Sequence, residues 1–371
     1  MNPGITVALT LVLALLLAMP FLVQGSHLDM PNRAAIHVLE RTHDLAAASE
    51  EPPAWSTFLL DVEPSYDVDA YLDAAYDEAV AEDFAVEGDA TVEDVERSWE
   101  ALPDRTPEPG VAARLRVYAW VLPLVTAAGL LLVLAWVLRG RRWAPVGDAD
   151  SVAPWSAGEG YGVAVRAAVL GFLLAIAFSE IPVAGMWTTL FASAGLVWFV
   201  HRRLLRPRML GWRALGLGPP RNLRFMAGAV LGVLALDIAG VNLISRACAN
   251  AGMTYHWTEL VIEELVFGSA ATAIFASADV VLWAPLFEEI GFRGFVYPTM
   301  RARMGVAPAV VLSAAIFAAI HMYSPTGMLS ILWGGILLAL LREKTRSLWP
   351  CVACHALWNL YSTATLTGLY R

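Results

Sequence analysis

Lysine is almost missing from this chain of 371 residues: Lys344 is the single lysine among 25 basic side chains. Together with a heavy load of Ala, Val and Leu, that scarcity points to a GC-rich, bacterial genome. Cysteine is nearly as rare. Cys248, Cys351 and Cys354 are too few for a disulfide framework, so nothing in the chain requires an oxidising compartment. Charged residues are also sparse, at 16% against 58% hydrophobic, and the mean hydropathy is +0.57. Such a balance excludes an ordinary soluble enzyme and places the chain in a membrane. No internal repeat stands out, and no His-Glu-x-x-His helix of a zinc peptidase is present.

The charges that are present are unevenly placed. Residues 25–111 hold 22 Asp/Glu against 4 Arg, near −18, while the remainder holds 12 acids against 21 bases, near +9. The acidic block reads either as a solvated spacer or as a small helical domain, with helix-like stretches at about 67–83 and 91–102. Docking of a basic partner or substrate tail is a further role for it; nucleic acid is not expected as a partner.

Apolar runs at about 5–24, 113–138, 160–181, 184–201, 223–245, 268–290, 307–322, 327–342 and 348–367 each approach the ~20 residues a spanning helix needs. They predict an all-α, polytopic transmembrane bundle of about 8–9 helices, in a multi-pass protein of the cell membrane. Residues 1–24 read as a transmembrane anchor or a signal peptide; Val23-Gln24-Gly25 offers small residues at a cleavage site, but Met1-Asn2-Pro3-Gly4 lacks a positive n-region. Arginine collects at every second junction, at 139–142, 202–208, 301–303 and 342–346. Because short basic loops stay cytoplasmic, this arrangement predicts an extracytoplasmic position for residues 25–111. The expected organisation is an anchor or signal at 1–24, an acidic region at 25–111, a transmembrane helix with a cytoplasmic loop at 112–158, and a helical domain at 159–371.

An ionisable side chain inside a hydrophobic span costs several kcal/mol and needs a partner or a task. Glu288, Glu289 and Arg293 lie within a turn and a half of the sixth run. Glu289 and Arg293 stand at i and i+4 and can pair, whereas Glu288 points ~100° away and is left without a local counter-charge. A desolvated carboxylate beside a water suits a base that then turns acid. Phe317 and His321 end the seventh run, again at i and i+4. His355 and Asn359 share one face of the ninth and can present two donors to one small target, as an oxyanion requires. If the sixth and seventh helices turn near Gly305, Glu288 and His321 both sit ~25 Å from the turn, at matching depth.

These residues resemble the three motifs of the CAAX-protease and bacteriocin-processing (CPBP) family of intramembrane glutamic endopeptidases, which includes the type II CAAX prenyl proteases. The motifs stand in order as Glu288-Glu289-x-x-x-Arg293, Phe317-x-x-x-His321 and His355-x-x-x-Asn359. Ala284-Pro285 before the Glu pair, Phe292-Arg293-Gly294 after it and Gly334-Gly335 are also similar to the family, and the resemblance covers about 160–367. It implies peptide-bond hydrolysis without a covalent intermediate or cofactor. Glu288, helped by His321, would activate water; His355 and Asn359 would hold the oxyanion; Glu289 and Arg293, with Phe317, would support them. The expected partners are the bilayer and a membrane-tethered protein or peptide, cut at a leader, sorting tail or CAAX-like tail.

Rival readings follow from the same side chains. Glu288, His321 and His355 could ligate zinc, which chelators would reveal. Cys351-Val-Ala-Cys354-His355 has the spacing of a haem attachment site, but the arginine pattern puts it beside a cytoplasmic loop, where packing cysteines are expected. From another class, Asp237 and Asp279 could join Glu288 in the proton relay of a transporter. A non-catalytic scaffold or immunity protein would not need every motif residue intact.

Overall fold

The computed structural model describes residues 92–101, 108–139, 153–179, 188–219, 222–253, 263–266, 269–321 and 323–370, with a scatter of single positions between 6 and 106. Most of these residues are helical, and there is no strand among them. The helices are α1 (Val92–Ala101), α2 (Pro109–Leu138), α3 (Ala157–Ser179), α4 (Thr188–Val200), α5 (Leu223–Asn250), α6 (Glu263–Val266), α7 (Ala270–Met304), α8 (Val306–Ala319), α9 (Pro325–Thr345) and α10 (Trp349–Tyr370).

The expected runs recur as helices from α2 onward, and α1 falls on the stretch expected at 91–102. The expected helix at 67–83 lies outside the described residues. So does nearly all of the first run, although Thr6 accepts from Arg166 Nη1 at 3.0 Å and the Thr10 hydroxyl lies 2.8 Å from that of Tyr161, both partners on α3.

Among the described residues, four helices are long and apolar enough to cross a membrane: Ala157–Leu174, Leu223–Asn250, Ala270–Met304 and Pro325–Thr345. The chain is therefore a multi-pass membrane protein. The other runs fall short for physical reasons. α8 has 14 residues, or ~21 Å at ~1.5 Å per residue, and α10 spends its length on polar positions such as His355, Asn359 and Thr363. Large apolar side chains stand outward along the bundle, among them Leu131, Leu173, Leu243, Ile274 and Leu360, as they do where the solvent is lipid tails.

α7 is the central element. It runs past the expected end of its apolar stretch because Arg293 finds Glu289 one turn earlier and Arg301 finds Glu343 on α9. Two π turns interrupt it, at Asp279–Trp283 and Phe292–Val296. Each is followed at once by an x-Pro step, Ala284-Pro285 and Tyr297-Pro298. Proline has no N–H to return to the preceding turn, and such bulges free carbonyls for other partners. The helix then turns at Gly305, whose φ of +82° suits a residue without Cβ, and α8 returns along it.

Beyond that hairpin, α3 packs on α4, α2 on α5, and α5 on α9. The last contact is close: the Trp333 indole fills the space a side chain at Gly240 would take, and its Nε1 donates to Leu236 O at 3.1 Å. At one end α7 and α9 are clamped by Glu343, which accepts from Arg301 Nε and Nη2 and from Tyr297 OH, each at 2.8 Å. Cys351 and Cys354 are buried, unbridged and packed with Val230, Leu234 and Leu338, the packing role expected of them.

Candidate active site

The α-helical stretch Ala284–Gly291, between the two π turns of α7, carries both glutamates. Glu289 is fully buried. Its Oε1 accepts from Arg293 Nη1 at 2.9 Å, the i, i+4 pair that the spacing predicts. Arg293 is further held by Nη2 donating to Gly335 O on α9 at 3.2 Å, and by the Phe317 ring, whose centroid is 4.4 Å from the guanidinium carbon. This explains why a guanidinium is tolerated here: both Nη atoms have acceptors and the Phe317 ring lies against the group.

The same Glu289 Oε1 lies 3.0 Å from His355 Nδ1 on α10. A carboxylate only accepts, so Nδ1 carries a proton, and the ring is oriented with Nε2 3.9 Å from Glu288 Oε2. Glu288 is partly exposed, and its buried Oε2 has no hydrogen-bond donor among the described residues. Among the described residues Glu288 thus has no Arg or Lys counter-charge like that of Glu289, its charged neighbour being His355 across 3.9 Å.

His321 follows the end of α8. Its Nδ1 lies 2.7 Å from Phe317 O, so this nitrogen also carries a proton, and a neutral ring then offers Nε2 as an acceptor. Phe317 is the hub of the cluster, edge-on to His321 at 4.8 Å and to His355 at 6.1 Å. Asn359 Nδ2 donates to Val280 O at 2.8 Å. That carbonyl is free because the π turn sends the Ala284 N–H to Asp279 O instead, and Pro285, next in line, has none. One of the two N–H groups of the Asn359 amide remains for another acceptor.

Glu288, Phe317, His321, His355 and Asn359 all line one cavity of about 490 Å³, bounded by α5, α7, α8, α9 and α10. Asp237, Asp279, Tyr323, Ser330 and Trp358 share its wall. Among the described residues no three His, Cys, Asp or Glu side chains are grouped so as to hold a metal ion. Sequence reasoning missed two members of the site, the Val280 and Gly335 carbonyls, because main-chain groups leave no residue-type signature. Pro285 is the signal that could have pointed to the first.

Residues 260–361 match the family model of the type II CAAX prenyl endopeptidase Rce1-like proteins. The chain carries an Rce1-like domain. All three motifs lie within the matched residues, and the segment takes in α6, α7, α8, α9 and most of α10. No curated protein and no solved structure matches the chain. An Rce1-like domain in a multi-pass helical protein supports a CAAX-type endopeptidase acting on a membrane-associated protein. α5, which closes one side of the cavity, lies outside the Rce1-like domain.

Proposed function

We propose that the chain is an intramembrane endopeptidase of the glutamic type, hydrolysing a peptide bond in a membrane-tethered protein, at a leader or a C-terminal sorting tail. The observation that carries this reading is the shared Glu289 oxygen: it fixes Arg293 and His355 together, and so aims His355 Nε2 towards Glu288 at the cavity wall.

In this reading a water enters between Glu288 and the substrate carbonyl. Glu288 takes one proton from it while the oxygen attacks the carbonyl carbon, and His321 Nε2 accepts the second O–H and so orients the lone pair. Charge passes to the carbonyl oxygen, which His355 and the remaining Asn359 N–H stabilise. Because Nδ1 of His355 already donates to Glu289, its Nε2 must also be protonated at that moment. Collapse breaks the C–N bond, and Glu288 returns its proton to the leaving amine.

Quantitative mass spectrometry of protein termini, comparing source cells that express the wild type or Glu288→Ala at equal levels, tests the reading. One or a few membrane-tethered proteins should change their termini; unchanged termini despite a Glu288-dependent phenotype would overturn it. A transporter with a proton relay is the second reading, favoured by Asp237 in the same cavity. It predicts that solute flux, not cleavage, depends on that residue, and that Asn359→Ala is tolerated.

A further inference from the structure

Asp237 is the fifteenth of the 28 residues of α5, ~20 Å from either end at ~1.5 Å per residue, and so at mid-depth in the bilayer. Its buried Oδ1 has no hydrogen-bond donor among the described residues. A carboxylate at that depth costs several kcal/mol and calls for a partner or a task. The neighbouring helix offers no partner and leaves room for one: Gly334 of α9 lies against Asp237 Oδ1, where any side chain at that position would press upon it.

Among the described lining residues of the cavity that Asp237 faces, carboxyl groups outnumber the two bases, His321 and His355. Asp237, Asp279 and Glu288 line it, and none of its described lining residues is Arg or Lys. The guanidinium of Arg293, which reaches the lining residue Gly335, is committed to Glu289 and Gly335 O. Carboxylates between low-dielectric walls raise the local concentration of cations. An extended peptide whose carbonyl lies at Glu288 would bring its neighbouring side chains against the α5 side of the same space.

We infer that Asp237 forms an acidic subsite of the cavity, which receives a Lys or Arg side chain of the peptide substrate close to the bond that is cut. This rests on the endopeptidase reading and adds to it a class of substrate: a membrane-tethered chain with a basic residue beside the scissile bond. Asp237 acts in binding, and takes no proton from the attacking water.

The test is cleavage-site profiling. The full chain, purified in detergent as wild type, Asp237→Asn and Glu288→Gln, is incubated with a peptide library digested from a proteome, and new termini are read by mass spectrometry. The wild type should enrich Lys and Arg at one fixed position near the cut, and Asp237→Asn, which keeps the shape, should lower that basic-over-neutral preference at least tenfold. A wild-type profile without basic enrichment overturns the inference, as does a preference that Asp237→Asn leaves unchanged. The substrate side provides a check that does not depend on folding: replacing Lys by norleucine in the best-cut peptide should lower kcat/KM of the wild type at least tenfold, and equal cleavage of the two peptides sinks the idea. Failure of the endopeptidase reading looks different: the wild type and Glu288→Gln would then give identical, uncut libraries.

Discussion

Glu289 Oε1 is shared, lying 2.9 Å from Arg293 Nη1 and 3.0 Å from His355 Nδ1, so one buried oxygen ties α7 to α10 and orients the ring that faces Glu288. Removing it should therefore cost both stability and rate. Glu289→Ala leaves Arg293 as a buried charge without its carboxylate, a loss of about 3–5 kcal/mol. Glu289→Gln keeps the shape and an acceptor but not the charge, and should lower kcat by about 10- to 100-fold with little effect on KM. Thermal unfolding in detergent together with steady-state kinetics on an identified substrate separates the two effects. An unchanged kcat in Glu289→Gln would show that the negative charge of Glu289 is not needed beside His355.

Asn359 does two things. It satisfies Val280 O and offers its second N–H to the cavity. Asn359→Ala should lower kcat by about 10²- to 10³-fold, as loss of an oxyanion donor does, and lower stability by about 1–3 kcal/mol for the orphaned carbonyl. Asn359→Asp can keep neither donor when ionised and should be as slow as the alanine variant. A kcat within twofold of wild type in both would remove Asn359 from the mechanism.

Pro285 acts through the main chain. Pro285→Ala supplies an N–H where the π turn leaves none, so Asn359 gains a competing donor for the Val280 carbonyl. The expected result is a kcat lowered several-fold with a raised melting temperature, since proline in a helix interior costs ~3 kcal/mol. Equal or faster turnover with the same melting temperature would mean that the bulge does not set the position of Asn359.

Most of the helical bundle could be read from apolar run length, because a span without water must satisfy its main chain internally. The Glu289–Arg293 pair could be read too, since i, i+4 geometry is local. What escaped were contacts between helices. That His355 meets Glu289 rather than standing free beside Asn359 depends on how α10 rotates against α7, and no single-helix period specifies that rotation. The end of α7 escaped for a similar reason: Arg301 and Glu343, 42 residues apart, neutralise each other only after α9 has folded back.

The Glu343 clamp lies outside the cavity, which gives a contrast to the site variants. Glu343→Gln weakens its contacts to Arg301 and Arg346 and should destabilise the chain by about 2 kcal/mol, within the range for hydrogen bonds to charged groups. kcat at a temperature well below unfolding should stay as in the wild type. A large loss of kcat there would tie this end of α7 to catalysis.

Glu288-dependent cleavage is the central claim, and reconstitution tests it most directly. Membranes from source cells lacking the chain are mixed with purified wild type or Glu288→Gln in vesicles, with and without a chelator, and new protein termini are counted. The account predicts new termini on a few membrane-tethered proteins with the wild type, unchanged by chelator, and none with Glu288→Gln. Equal termini from both proteins, or cleavage abolished by the chelator and restored by zinc, would contradict it.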